Sequence, residues 1–446
     1  MIVKKLVASK VFGYLDFNVD FNDDISFLVG GNGSGKTTAL KLINALVNPN
    51  FKELLQIPFQ SVHLELLHAN RDIQISANTD ERGISLKINT LDDELILPSY
   101  SNEEIEYYSH KSEKLEEITE MVNRKYADHA IVKEISRIDS PIFLGLDRRS
   151  DDGIRANEDY YFEREQFIRE KNNRWTRARR LIRGSIGASL METEMLVQQS
   201  YRRMREAEDR TSSKLRDSIL LSAFQYTSFE ESDFSLKKFE WKERESLLER
   251  KKEIRDALRN IGLNDSAVSD AVDNFFNKMT SLFEHLQQSD EEISIVWLLN
   301  KSQVERMSQI VEIIDEHKSE MDNIFKPIND FLCVINSFYK DSKKTLEVDR
   351  VGQLLVSRPD GSKCTIEGLS SGERQLLVIF AHSFLNRFSG RKSVFIIDEP
   401  ELSLHLRWQE KFSKTLFSIN PNSQYILATH SPEIVGGMKT KSVKCR

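Results

Sequence analysis

At 446 residues, with 39% hydrophobic and 30% charged side chains, the chain has material for two or three domains and for long, solvated helices. No apolar run reaches the roughly 18 residues that a membrane span requires. The three cysteines, Cys333, Cys364 and Cys445, are too scattered for a disulfide framework or a metal spacing, which points to a reducing cytoplasm. A net charge of −7 confines any nucleic-acid contact to a local patch.

The N-terminal MIVKKLVASK lacks the long apolar core of a secretory signal and reads as a strand. Strands are predicted over Ile2 to Ala8, Tyr14 to Phe21 and Ile25 to Val29, separated by Gly13 and the turn Asn22-Asp23-Asp24. The third is wholly apolar save Ser26, as a strand covered on both faces must be. It leads into Gly30-Gly31-Asn32-Gly33-Ser34-Gly35-Lys36-Thr37, a G-x-x-x-x-G-K-[ST] motif, and then into a helix from Thr38 with apolar spacing to Val47. Glycines there let backbone N–H groups turn inward around phosphate oxygens, and the helix N-terminus adds partial positive charge. Gly30, Asn32, Gly33, Ser34, Gly35 and Thr38 are the candidate phosphate cradle. Lys36 is expected to reach the β- and γ-phosphates, and Thr37 to ligate Mg²⁺.

Phe59 to Leu97 alternates apolar and polar residues and predicts an antiparallel meander beside the core. Ser101 to Ser136 reads as charged and helical, Pro141 to Leu146 as a buried strand, and Asp147-Arg148-Arg149 as a strand-end contact or a solvated loop. From about Asp151 to Ser342 glycine is scarce and helical periodicity dominates. Val304, Met307, Val311, Ile314, Met321, Phe325, Ile328, Leu332 and Ile335 form a heptad seam, with Pro327 expected to kink or restart the helix. A second stripe includes Val268, Val272, Phe275, Phe276 and Met279. These imply a partly coiled-coil insertion, with a compact bundle as the alternative. Within it, residues 164–183 carry Arg164, Arg169, Lys171, Arg174, Arg177, Arg179, Arg180 and Arg183 around Trp175, and Arg202, Arg203 and Arg205 follow. Such a stretch suits a nucleic-acid backbone or, equally, pairing with nearby acids.

Strand character returns in a hairpin-like pair after Lys343. Ser370, Ser371 and Gly372 then open the apolar helix Gln375 to Phe384, a place to hold a γ-phosphate or an ordinary serine cap. The strand Val394 to Ile397 delivers Asp398, suited to Mg²⁺, and Glu399, suited to orient and deprotonate an attacking water. Tyr425 to Ala428 is a further strand, ending in Thr429-His430-Ser431, where His430 can donate to a γ-phosphate.

The series GGNGSGKTT, LSSGER, FIIDEPELSLH and ATHS resembles the ABC-type ATPases of the SMC, RecF and OLD group. The resemblance implies an α/β P-loop head with a mixed core sheet and an antiparallel β lobe. It divides the chain into 1–150, a helical insertion 151–342, and 343–446. It further implies ATP and Mg²⁺, a homodimer or higher even oligomer sandwiching two ATPs, Ser370 and Gly372 acting on the partner's nucleotide, and Ser403 with His405 in the loop after the paired acids. Ser371 stands where transporters usually have glycine, and Leu406-Arg407 where proline is frequent. Gln56, Gln60 and Gln74 are alternatives for the glutamine loop, and Phe12 and Tyr14 for adenine stacking.

The residues after His430 leave no room for a Toprim nuclease domain, and no nuclease metal cluster is evident. This organisation is similar to the stand-alone ATPase subunits of anti-phage systems such as Septu and PARIS. It implies a cytoplasmic ATP-dependent sensor and scaffold controlling a separate nuclease or toxin. A DNA-repair ATPase, an ATP-binding scaffold with little turnover, and a transporter subunit are the alternatives.

Overall fold

The structure is a computed structural model that describes residues 1–48, 51–100, 104, 112–144, 185–222, 250–260, 266–288, 295–385 and 393–445. Asp147 to Arg149 and the basic stretch 164–183 lie outside the described residues.

The chain opens with β1 (Ile2–Val11), β2 (Leu15–Asp20) and β3 (Ile25–Val29), followed by α1 (Lys36–Val47) and α2 (Lys52–Gln56). The meander is β4 (Ser61–His68), β5 (Arg71–Asp80), β6 (Gly83–Ile88) and β7 (Leu95–Leu97). Then come α3 (Ser112–Tyr126), α4 (Ala130–Ile135) and β8 (Ile142–Leu144). The long helices are α5 (Ser185–Ser222), α6 (Lys251–Asn260), α7 (Ser266–Gln288) and α8 (Ile295–Tyr339). A small sheet of β9 (Thr345–Val348), β10 (Leu354–Ser357) and β11 (Lys363–Thr365) precedes α9 (Ser371–Leu385). The chain then adds β12 (Val394–Asp398), α10 (Leu406–Ile419), β13 (Gln424–Thr429), α11 (Pro432–Val435) and β14 (Ser442–Lys444).

Antiparallel and parallel pairings occupy separate sheets. The six-stranded sheet, in the order β2-β1-β4-β5-β6-β7, is antiparallel, and its strands β2 and β4 alternate in burial as in a sheet with one covered face. The five-stranded sheet, β14-β3-β13-β12-β8, is parallel throughout, and its strands β3, β12 and β13 are buried almost completely. Helix α1 packs on β4 and β5 of one sheet and on β12 and β13 of the other. A helix covered on two sides needs apolar residues nearly all round, and Ala39, Leu40, Leu42, Ile43, Ala45, Leu46 and Val47 are all buried. Gln424 joins the sheets: its side chain accepts from Val3 N at 2.8 Å and donates to the carbonyls of Val3 (2.7 Å) and Asn22 (2.8 Å). It serves β1 where the pairing with β4 shifts register.

The chain divides into two compact units, Met1–Gln198 with Phe331–Arg446, and Gln199–Asp330, the divisions falling inside α5 and α8. Within the second unit, Leu215, Ile254, Phe276, Val311 and Ile314 from four helices form one small core. The expected restart at Pro327 is not found, because α8 runs unbroken from Ile295 to Tyr339. One proline costs a backbone hydrogen bond, and the buried Ile328 and Phe331 anchor the turns that follow. Arg202 and Arg205 pair with Glu206 and Glu208 on their own helix, which makes this part of the basic stretch a salt-bridged face.

Candidate functional site

Three adjacent strands of the parallel sheet end side by side. Val29 is paired with Thr429, and Ala428 with Asp398, so the residues that follow β3, β13 and β12 emerge along one edge. This is the carboxyl edge of an open parallel sheet, where ligands bind in α/β proteins. The glycines of the loop 30–37 have local reasons. Gly33 and Gly35 adopt φ of 77° and 85°, in the region that L side chains rarely enter. A Cβ on Gly35 would stand 2.7 Å from the Phe17 ring, and one on Gly30 would stand 2.6 Å from Ser34 Oγ. Gly31, Asn32 and Gly33 are exposed, whereas Lys36 is buried.

Asp398 closes β12 and is only 4% exposed, and neither of its side-chain oxygens has a hydrogen-bond partner. Burial pushes its pKa up to about 6. The Thr37 hydroxyl pulls the other way, although its geometry falls short of a hydrogen bond. A buried, unpartnered carboxylate beside a threonine hydroxyl suits one hard cation that takes its remaining ligands from phosphate and water. Among the described residues no group of three His, Cys, Asp or Glu forms an all-protein metal cage. Glu399 follows, half-buried, with φ 46° and its N–H donating to Ala428 O at 2.9 Å. That turn takes Glu399 out of the strand direction.

His430 faces the loop from β13, with Nε2 2.6 Å from Lys36 Nζ. Two residues that the sequence reading left aside hold it there. The carboxylate of Glu401 accepts from Thr429 Oγ1 at 2.8 Å and from the His430 N–H at 2.6 Å. Gln409 accepts from Ser431 Oγ at 2.7 Å and donates to Leu404 O at 2.9 Å. Glu401 was visible in the sequence only as a third acid, just after Pro400. Cys445 also comes to this edge: β14 pairs with β3 and brings it, buried, against Gly30, with its N–H 3.3 Å from Val29 O.

Ser370 caps α9. Its N–H donates to Glu373 Oε2 at 2.7 Å and its Oγ accepts from Glu373 N at 3.4 Å, the reciprocal pattern of a capping box. Glu373 is buried and is also bound by Lys344 Nζ (2.8 Å) and Ser342 Oγ (2.6 Å), which hold its pKa below the usual value against the effect of burial. The Tyr339 hydroxyl at the end of α8 donates to Glu373 O at 2.7 Å. Gly372 lies against the loop after the paired acids, and a Cβ there would stand 2.3 Å from Ser403 O. Ser370, Ser371 and Ser403 are exposed. Among the described residues no hydrogen bond or ion pair joins Ser370, Ser371 or Gly372 to residues 30–37.

Phe12 and Tyr14 are exposed on the turn between β1 and β2, whose Leu15 and Phe17 touch Gly35. Gln56 ends α2, Gln60 precedes β4 and Gln74 lies in β5, and no described side-chain contact ties any of them to the strand ends. No helix among the described residues is long and apolar enough to cross a membrane.

The family model described as AAA ATPase domain matches residues 12–435. The chain is 29% identical over 170 residues to a protein named Retron Vc95 probable ATPase, from Vibrio cholerae serotype O1 biovar El Tor, covering 34% of this chain and 32% of that one. It is 24% identical over 142 residues to Endonuclease GajA of Bacillus cereus (strain VD045), covering 28% and 25%. The chain thus spans about a third and a quarter of the lengths of these two relatives. Among solved structures, the Smc head domain of Pyrococcus furiosus with an extended coiled coil, bound to the C-terminal domain of ScpA, covers 99% of this chain and 95% of its own at 13% identity and a TM-score of 0.39. The Smc head of Pyrococcus yayanosii with a coiled coil and joint covers 97% and 93% at 13% identity and the same TM-score. The family match runs from the first β-turn to the helix after His430 and takes in all three strand ends, so the chain belongs to the AAA ATPase domain family and is an ATPase.

Proposed function

We propose that the chain is a nucleotide-gated switch, in which two copies engage across two ATP molecules and hydrolysis releases them. The observation that carries this reading is the convergence of Lys36, Asp398 with Glu399, and His430 on adjacent strand ends. Gly30, Asn32, Gly33, Ser34, Gly35 and Thr38 wrap the phosphates, and Lys36 reaches them once it leaves His430. Thr37 and Asp398 would hold Mg²⁺, which would supply charge neutralisation to the phosphates. Glu399, turned out of its strand by its positive φ, orients the attacking water and takes its proton. His430 donates to the γ-phosphate. Ser370, Ser371 and Gly372, which make no described contact with their own loop, serve the partner's ATP together with Ser403.

The helical insertion carries the nucleotide state to a separate effector, a nuclease or a toxin, in bacterial anti-phage defence. That role draws on the partial likeness to a probable ATPase of a retron and to an endonuclease.

ATP turnover and oligomeric mass of wild type and Glu399→Gln test the mechanism. The variant is expected to bind ATP, to lose turnover by about a hundredfold or more, and to accumulate as an ATP-dependent dimer or larger even assembly. Equal turnover in both proteins removes Glu399 as the base. Copurification of the native operon products tests the effector, and recovery of this chain alone with and without ATP counts against it.

A further inference from the structure

We infer that Glu401 is a positioning residue for His430 and that the loop from Pro400 to His405 acts on the nucleotide site through it. The inference rests on the reading of His430 as the γ-phosphate contact. A carboxylate has two oxygens to satisfy, and here one takes the Thr429 hydroxyl and the other the main-chain N–H of His430 itself. Charge-assisted bonds of this kind are the stronger class of hydrogen bond. They fix the backbone from which the imidazole springs, and the ring then meets Lys36 Nζ at 2.6 Å. Through its hydrogen bonds Glu401 therefore reaches the reacting groups by way of His430, while its charge also acts on Lys36.

The other side of the loop is tied to the helix that Ser370 caps. Gln375 Nε2 donates to Pro400 O at 2.9 Å inside the protein, and Gly372 leaves room for Ser403 O where a Cβ would come within 2.3 Å. Gln409 adds a second tie between the loop and the histidine strand, through Leu404 O and Ser431 Oγ. Glu399 and Ser403 both hold positive φ, 46° and 67°, without being glycine. Such residues are strained and persist only where their surroundings over-determine them. The loop is thus pinned on both sides, with one strained residue before it and one within it. Any displacement of the Ser370–Gly372 turn against Ser403 is handed by Glu401 to His430, and so to Lys36.

A double-mutant cycle on ATP turnover tests this, with Glu401→Ala made in the wild type and in His430→Ala, and ATP affinity measured beside kcat. The expected result is a fall in kcat of about tenfold or more in the wild-type background, with ATP affinity within about threefold, and a change below about twofold when His430 is already alanine. Thr429→Val, which removes one of the two donors, shows the same background dependence, and Thr429→Ser restores the rate. An equal loss in both backgrounds makes Glu401 a structural residue and overturns the inference, as does the absence of loss in either. Glu399→Gln is run alongside: if it abolishes turnover while Glu401→Ala does not, only this inference fails. If Glu399→Gln turns over normally, the reading of the site fails and takes this inference with it.

Discussion

Lys36 Nζ lies 2.6 Å from His430 Nε2 and also donates to the carbonyls of Gly30 at 3.0 Å and Gly31 at 3.2 Å. All three ammonium protons thus have acceptors within the protein before any phosphate arrives. Burial holds the Lys36 pKa below its usual value, against the opposing charges of Cys445, Glu399, Asp398 and Glu401. His430→Ala removes one acceptor that an incoming phosphate must otherwise displace. The expected outcome is ADP affinity equal to or above wild type together with a turnover lower by about a hundredfold, read from fluorescent-nucleotide titration and steady-state hydrolysis.

Asp398 is a buried acid without a partner, and its charge works against folding in the absence of nucleotide. Between its ordinary 3.8 and the raised value of about 6, the native state keeps a proton that the unfolded state has lost. This group therefore withdraws stability as pH rises through that window. Asp398→Asn is expected to stabilise the nucleotide-free protein at neutral pH by about 1 kcal/mol or more. The same variant should lose the rise in unfolding temperature that Mg²⁺ with ATP produces, and chelation of Mg²⁺ should remove that rise from the wild type.

His382 lies within α9, buried, with neither ring nitrogen hydrogen-bonded. Burial alone pushes its pKa from 6.5 down to about 4. In that window the unfolded state takes up a proton that the native state refuses, so stability falls as pH drops from 6.5 towards 4. His382→Leu is expected to flatten this acid limb, on the order of 2–3 kcal/mol between pH 7 and 4. Denaturant midpoints measured across that range check it.

Lys344 and Glu373 join at 2.8 Å beneath the cap of α9, with the glutamate side chain almost wholly buried. Removing the cation leaves an uncompensated charge. Lys344→Met is expected to cost about 3 kcal/mol, measured by denaturant unfolding at neutral pH. Glu373→Gln should cost less, because an amide still caps Ser370.

Gly372→Ala puts a methyl group 2.3 Å from Ser403 O, a backbone atom that cannot rotate away. The loop must shift, and turnover is expected to fall about tenfold with the fold retained by circular dichroism. Ser371→Ala, at an exposed neighbour, should leave stability within about 0.5 kcal/mol of wild type.

The elements were legible wherever the signal is local. Gly30 to Thr37 carries its own turn chemistry, and β3, β12 and β13 are apolar runs bounded by turn residues. Strands β4 and β5 of the meander alternate in burial as in a half-buried sheet, and the seam of α8 repeats by heptads. Less was legible where the signal is short or polar. The strand Ser442–Lys444 has no pattern of its own and becomes a strand only because β3 offers it an open edge. Pro327 reads as a kink or a restart, and the restart is absent because buried side chains after it continue the helix.

By itself the sequence determined that a glycine loop before a helix, a pair of acids and a strand-end histidine exist, because each depends on backbone conformations set within a few residues. Only the tertiary structure decided that β13 stands between β3 and β12, that Lys36 meets His430 across nearly the whole chain, and that Glu401 holds that histidine in place. Such contacts join residues far apart in sequence, and a carboxylate after a proline carries no mark of the amide that will fill it until the sheet has aligned their ends.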